Sequence, residues 1–468
     1  MNSLRLICDS IGDTKSLSKA PCDWGGSVVA KLLIRGGTPL KGMVNISGAK
    51  NSALPIIVAA CLADGESILE NIPQDIDVYT ISLILRELGA EIWFDEKKRL
   101  HVIPDGLERY QASYDLVRKM RASFYVTGLL LARLGKAEVP LPGGCALGSR
   151  PVDYHLKGFQ SLGAKINIEH GFVKAEADEL MGSKIYINRS SVGTTINLML
   201  AASRAKGTTI LENAAKEPEV VDLAIYLNSM GARIRGAGTD VIRIDGVDTL
   251  KGTEYGIIAD RIEAGTFIVA CGITNGELVL GNVVPEHLRS TILKCEEAGL
   301  EIEEGTNTLR VRSTGRPLSV DLETAPYPGF PTDLQQPFAA MMSIADGTSI
   351  IRETIFDRFR YVDELRRMGA DIRVDRDTAI IRGVSELTGA QVEATDLRAG
   401  AALVLAALAA KGETEISGVE LVDRGYEHLD VKLRQLGADI ERIPDGEEDT
   451  FEEYLEGPLL ESLSKMGR

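Results

Sequence analysis

One motif recurs along the chain and restricts what it can fold into. Leu88-Gly89-Ala90-Glu91-Ile92 is followed by Leu162-Gly163-Ala164-Lys165-Ile166 and Met230-Gly231-Ala232-Arg233-Ile234. Ala298-Gly299-Leu300-Glu301-Ile302, Met368-Gly369-Ala370-Asp371-Ile372 and Leu436-Gly437-Ala438-Asp439-Ile440 complete the set. The glycines stand 68 to 74 residues apart. Each closes a helix-like segment and opens a strand-like one. That predicts a left-handed residue just past a helix end, with a strand starting at once. A second signature comes 22 to 28 residues earlier in each unit, a glycine opening a β-branched run. Its members are Gly65, Gly207, Gly276, Gly347 and Gly412, with Gly135 a divergent sixth.

The segments ahead of these glycines are apolar almost all round: 53–63, 124–133, 195–203, 266–273, 338–344 and 399–409. A helix without a polar face must be buried on every side. Each unit of roughly 70 residues therefore reads as buried helix, strand, amphipathic helix, strand and further strand. Six units predict an α/β protein of two three-fold domains, with helices inside and sheets outside. Helices buried in like orientation collect their N-termini at one end, where free N–H groups and the helix dipole favour anions.

The six helix starts are Gly48-Ala49-Lys50-Asn51-Ser52, Met120-Arg121-Ala122-Ser123, Arg189-Ser190-Ser191-Val192-Gly193-Thr194, Asp260-Arg261-Ile262-Glu263, Pro331-Thr332-Asp333-Leu334-Gln335 and Thr395-Asp396-Leu397-Arg398-Ala399. Asp396 and Thr332 read as helix caps. Lys50, Arg121 and Arg398 do not, because a cation at a helix N-terminus is unfavourable. Their placement predicts an anion held there. Lysine and arginine would neutralise phosphorylated substrates, and Asp333 could act as base toward a hydroxyl.

Residues 141–153, Leu-Pro-Gly-Gly-Cys-Ala-Leu-Gly-Ser-Arg-Pro-Val-Asp, suit no regular element. Gly143-Gly144 frees the backbone, and Pro142 and Pro151 stop a helix or a central strand. Cys145, near Arg150, sits in a locally positive setting that favours thiolate and could serve as general acid or covalent group. The loop by itself is equally compatible with an incidental surface cysteine.

Composition narrows the classes. A net charge of −16 with no basic stripe argues against nucleic acid. The longest apolar runs, 54–63 and 401–410, fall short of the ~20 residues of a membrane span. Six scattered cysteines without CxxC point to a reducing, cytoplasmic setting, with Cys61 and Cys271 as core residues. Five histidines without HxxxH or HxH spacing carry no metal signature. There is no P-loop, and no GxGxxG follows a first strand. Residues 1–28 read as an extension and 444–468 as an acidic, solvated tail.

With these residues in view, the sequence closely resembles the enolpyruvyl transferases, specifically the branch of peptidoglycan synthesis that uses UDP-N-acetylglucosamine. The resemblance covers about residues 33–443. It rests on the segments beginning at Gly48, Met120 and Pro142, on Glu217-Pro218-Glu219 and on Phe330-Pro331-Thr332-Asp333-Leu334-Gln335. Ala394-Thr395-Asp396-Leu397-Arg398-Ala399 and Asp423-Arg424-Gly425-Tyr426-Glu427 add to it.

The family's fold is a two-domain inside-out α/β barrel. It implies one domain of residues 50–258 and a discontinuous one of 29–49 with 259–443. The implied reaction transfers the enolpyruvyl group of phosphoenolpyruvate to the sugar 3′-hydroxyl and releases phosphate. It passes through a tetrahedral ketal and needs no metal or organic cofactor. By motif, Cys145 matches the general acid, and Asp333 the carboxylate at the attacked hydroxyl. Lys50, Arg150, Arg398 and Arg424 match the phosphate and carboxylate clamps, and Asn51 a sugar contact. Arg121, Arg150, Pro151, Val152, Asp153, Tyr154, Arg189, Ser190, Ser191, Val192, Ile355 and Arg358 match the nucleotide-sugar site. The resemblance also makes Cys145 a target of fosfomycin.

Two departures stand out. Position 189 is arginine where the family commonly has lysine, and residues 355–359 are one residue shorter than the usual pattern. Other readings are transfer to shikimate 3-phosphate, transfer to a different nucleotide, and a silent paralogue that binds nucleotide sugar as a regulator. The loop cysteine and Ser191-Val192-Gly193 favour the nucleotide sugar, and intact Lys50, Cys145, Asp333 and Arg398 disfavour the silent paralogue.

Overall fold

The computed structural model describes residues 30–142 and 152–444. The six apolar segments form buried helices: α1 (Lys50–Ala60), α2 (Val126–Leu134), α3 (Val192–Ala202), α4 (Arg261–Ile273), α5 (Gln335–Met342) and α6 (Leu397–Ala409). α2 packs along α3, and α5 packs along α6 and α4. Among the described residues, six sheets cover them, five of four strands and one of three.

The glycine motif does what its spacing predicts. Gly89, Gly163, Gly231, Gly299, Gly369 and Gly437 all have φ between +91° and +114°, which L side chains rarely adopt. The second signature holds a left-handed glycine in five units. The fourth unit differs: Asn275 takes the left-handed position at φ +53°, and Gly276 follows it. Gly276 is needed for space, since a Cβ there would lie 2.5 Å from the Leu40 carbonyl oxygen.

Each half is a closed ring of three units. In the third unit, Thr208–Glu212 pairs antiparallel with Val241–Asp245, which pairs antiparallel with Arg233–Arg235. A short parallel strand from the preceding unit, Lys184–Tyr186, covers the other edge. For the first unit that strand is Glu254–Gly256, from the end of the third, laid parallel to Ser67–Glu70. In the other half Lys41–Asn45 lies parallel to Glu277–Gly281. Ala30–Arg35 enters the sixth sheet between Glu413–Ser417 and Asp439–Pro444. The N-terminal strands thus complete sheets of the last three units, which explains why one half is discontinuous.

Two hydrophobic cores result. One runs from Ala53 to Ile257. The other takes residues between Leu32 and Ile46, then Ala259 to Ile440. The chain crosses between them twice, side by side. Ala49 N donates to Ile258 O at 2.7 Å, and Asp260 N to Ser47 O at 2.9 Å. Gly48 lies between; a Cβ there would be 1.7 Å from the Asn71 carbonyl oxygen. Among the described residues, no helix is long and apolar enough to cross a membrane. Cys61 and Cys271 are buried, and burial pushes each thiol up to about 12.

Candidate active site

Asp260 joins the two halves at their helix starts. It caps α4 through Ile262 N at 2.7 Å and Glu263 N at 3.1 Å, and accepts from Lys50 N, the first residue of α1, at 3.3 Å. The Lys50 side chain is buried, and its Nζ lies 2.6 Å from Asp77 Oδ2. Asp77 sits in the first turn of the helix Ile76–Glu87. Its carboxylate also receives Arg424 Nε at 2.9 Å and Nη2 at 3.4 Å. Burial works against the ionised carboxylate, but Lys50 and Arg424 outweigh it and hold the acid below its usual range. The anion expected at this helix start is therefore, in this structure, a carboxylate of the protein itself. Gly425 lets the loop lie against Lys50: a Cβ would stand 3.0 Å from Lys50 Cδ.

The second group gathers at α5 and α6. Asp333, in the 3₁₀ turn Thr332–Leu334, accepts from Arg358 Nη1 at 2.6 Å and Arg398 Nη2 at 3.1 Å. Arg398 is 3% exposed, and its guanidinium lies 5.1 Å from the Tyr426 ring centre. Among the described residues, its Nε and Nη1, and Arg358 Nε, are buried without hydrogen-bond partners. Such donors are costly to leave unpaired.

The two capping expectations diverge. Asp396 caps α6, accepting from Arg398 N at 2.9 Å and Ala399 N at 3.1 Å. Thr332 does not cap. Its hydroxyl donates to Glu353 Oε2 at 2.9 Å, because the chain enters α5 through a 3₁₀ turn headed by Pro331. Glu353 also orders the segment that follows it: its Oε1 accepts from Ile355 N at 2.8 Å and Phe356 N at 3.1 Å. Arg358, two residues beyond Phe356, also donates Nη1 to the Thr332 carbonyl at 2.9 Å.

Among the residues expected at a nucleotide sugar the picture is mixed. Arg189 Nη2 donates to the Thr354 and Ile355 carbonyls, each at 3.3 Å, linking the two halves. Ser191 caps α3 at Thr194 N, 3.3 Å away. Asp153 and Tyr154 open the helix Asp153–Ser161, with Val152 buried at its cap. Arg121 heads the 3₁₀ turn Arg121–Tyr125, and Asn51 is half-buried in the first turn of α1. Cys145, Arg150 and Pro151 lie outside the described residues.

Three features were missed from sequence. Asp77 is one; Ile76-Asp77 reads as an acidic first turn, and nothing local points to Lys50. Buried His155 is another. Burial, aided by Arg121, lowers its pKa to about 3, so the ring is neutral and Nδ1 accepts from Asn197 Nδ2 at 3.1 Å. The third is Arg261, whose Nε pairs with Glu219 Oε1 at 2.9 Å, giving the Glu217-Pro218-Glu219 motif a cross-half partner.

Two rings of three α/β units, with cations and acids drawn together at their helix starts, define an enolpyruvyl transferase. The model of EPSP synthase (3-phosphoshikimate 1-carboxyvinyltransferase) matches residues 34–433, and the chain belongs to this family. It is 55% identical to UDP-N-acetylglucosamine 1-carboxyvinyltransferase 2 of Symbiobacterium thermophilum, over 90% of this chain and 100% of that protein. It is 52% identical to UDP-N-acetylglucosamine 1-carboxyvinyltransferase 3 of Caldanaerobacter subterraneus subsp. tengcongensis, over 88% of this chain and 99% of that one. Among solved structures, the enolpyruvyl transferase NikO of Streptomyces tendae superposes with a TM-score of 0.80 at 26% identity, covering 89% of this chain and 100% of NikO. An EPSP synthase of Acinetobacter baumannii shares the fold, with a TM-score of 0.69 at 19% identity over 88% of this chain and 99% of that one.

Proposed function

We propose that this protein transfers the enolpyruvyl group of phosphoenolpyruvate to the 3′-hydroxyl of UDP-N-acetylglucosamine and releases phosphate, a step of peptidoglycan synthesis. The observation that carries the reading is the paired anion site. Lys50 and Arg424 share Asp77, while Arg398 and Arg358 share Asp333 and keep spare donors. Relatives above 50% identity along nearly their full length carry the nucleotide-sugar name, which favours this acceptor over shikimate 3-phosphate.

The chemistry follows from the groups present. Addition to C2 of an enol ether needs a proton delivered to the methylene carbon and removed from the attacking hydroxyl. Cys145 supplies the first, and Asp333 takes the second. Positive charge develops at C2, so the surrounding cations serve to position phosphate and carboxylate rather than to activate C2. Lys50, Arg150, Arg398 and Arg424 form that clamp, with Asn51 on the sugar. Arg121, Arg150, Pro151, Val152, Asp153, Tyr154, Arg189, Ser190, Ser191, Val192, Ile355 and Arg358 frame the nucleotide sugar. In the elimination the new methyl carbon gives up a proton, the C2–O bond to phosphate breaks, and the C2–O bond to the sugar is kept, leaving the enolpyruvyl ether and free phosphate. These residues act on small-molecule substrates in the cytoplasm.

Fosfomycin tests the assignment of the acid. Mass spectrometry of the treated protein should place one adduct on the peptide carrying Cys145, and Cys145→Asp should keep turnover while resisting the compound. An adduct elsewhere, or full inhibition of Cys145→Asp, would contradict the role.

A further inference from the structure

The loop 423–427 carries Arg424 and makes contacts that phosphate binding alone does not require. It docks on the N-terminal turn of the helix Ile76–Glu87, which belongs to the other core. Ile76 N donates to Asp423 O at 3.2 Å. Gln74 N donates to Glu427 Oε1 at 3.3 Å. Arg424 reaches Asp77 between these two contacts. The loop's other end is tied to the crossing strands. Glu427 Oε2 accepts from the Ser47 hydroxyl.

Ser47 is itself fully committed. Its N–H donates to Glu263 Oε2 at 2.8 Å, its carbonyl accepts from Asp260 N, and its hydroxyl oxygen accepts from Lys432 Nζ at 2.7 Å. Lys432 also pairs with Glu263 Oε1. The hydroxyl thus has one proton to give, and Glu427 takes it. Both oxygens of Glu427 are used, one on each side of the boundary between the halves. A plain loop acid has no need of this. A carboxylate held by the crossing strand and by the facing helix fixes the loop in between.

We infer that Glu427 is a positioning residue for the anion clamp: by bridging Ser47 and the Gln74 amide it holds the loop so that Arg424 meets phosphoenolpyruvate. This rests on the proposed function, in which Arg424 is part of that clamp. Glu427 touches no substrate and acts only through Arg424. Its loss should therefore weaken phosphoenolpyruvate and leave the nucleotide sugar alone. The effect should also vanish once Arg424 is gone, because groups acting in series are not additive.

The test measures kcat and both KM values for the wild type, Glu427→Ala, Arg424→Ala and the double variant. Glu427→Ala should raise KM for phosphoenolpyruvate about tenfold, the size expected for a displaced clamp. KM for UDP-N-acetylglucosamine should stay within about twofold, and the double variant within about twofold of Arg424→Ala. Should Glu427→Ala fail to fold, Glu427→Gln, which keeps one acceptor oxygen, should show the same pattern at about threefold. An unchanged phosphoenolpyruvate KM, equal losses for both substrates, or full additivity with Arg424→Ala would overturn the inference. A wild type that does not turn the two substrates over would count against the proposed function instead.

Discussion

Lys50 Nζ lies 2.6 Å from Asp77 Oδ2, with both side chains nearly closed to solvent. A lysine at the first position of a buried helix opposes the helix dipole, and Asp77 cancels that opposition. Removing one partner of a buried pair strands the other charge, at a cost of about 3–5 kcal/mol. Asp77→Ala should therefore lose about 3 kcal/mol in urea unfolding at neutral pH. A loss below about 1 kcal/mol would show that Lys50 is relieved by something else.

In the proposed reaction Asp333 and Arg398 combine chemistry with position. Asp333→Asn keeps the shape but cannot take a proton. Its kcat should fall about 10²-fold or more, with both KM values changed little. Arg398→Lys keeps the charge but loses the planar fork that spans Asp333 and a ligand, and kcat/KM should fall about 10²-fold. Steady-state kinetics of the two variants checks both outcomes.

His155 makes stability depend on acid. Its pKa falls from the ordinary 6.5 to about 3 in the folded protein, because burial disfavours the charged ring. The unfolded chain binds the proton more readily, so stability is full above pH 6.5 and is lost as pH falls toward 3. At pH 5 the loss from this group is about 2 kcal/mol. His155→Asn should flatten that part of the stability profile between pH 6.5 and 5, even though it is less stable at pH 8. An unchanged slope would show that the ring is charged in the fold.

Gly48 admits no side chain. A Cβ at 1.7 Å from the Asn71 carbonyl oxygen would force the crossing segment away from the Asn71 turn. Gly48→Ala should be destabilised by about 3 kcal/mol or fail to fold, whereas Gly171→Ala, in open space, is limited to the strain of its φ of +80°. Melting temperatures of the pair measure the contrast.

Most of the architecture could be read from the chain because it depends on local requirements. A left-handed residue after a helix demands glycine, so six such glycines expose six units. After α4 Asn275 meets the demand instead, and the neighbouring Gly276 is kept for space. The closing of each ring was not legible, since Glu254–Gly256 pairs with Ser67–Glu70 across the whole half. The site divides the same way. Lys50, Asp333 and Arg398 announced themselves as charges at apolar helix starts. Arg358 came only through the family resemblance, and Asp77 not at all, because its pairing with Lys50 exists only once separate segments meet. Thr332 misled for a related reason: a threonine before a helix looks like a cap, and only Glu353, from a later strand end, draws its hydroxyl away.

The acceptor that drives phosphate release tests the proposed transfer to UDP-N-acetylglucosamine most directly. Purified protein is incubated with phosphoenolpyruvate and either UDP-N-acetylglucosamine, shikimate 3-phosphate or no acceptor. Phosphate is followed with time, and the product's mass is determined. Release should require UDP-N-acetylglucosamine and match, one for one, the enolpyruvyl ether of that sugar. Release with shikimate 3-phosphate, or none with the nucleotide sugar, would contradict it.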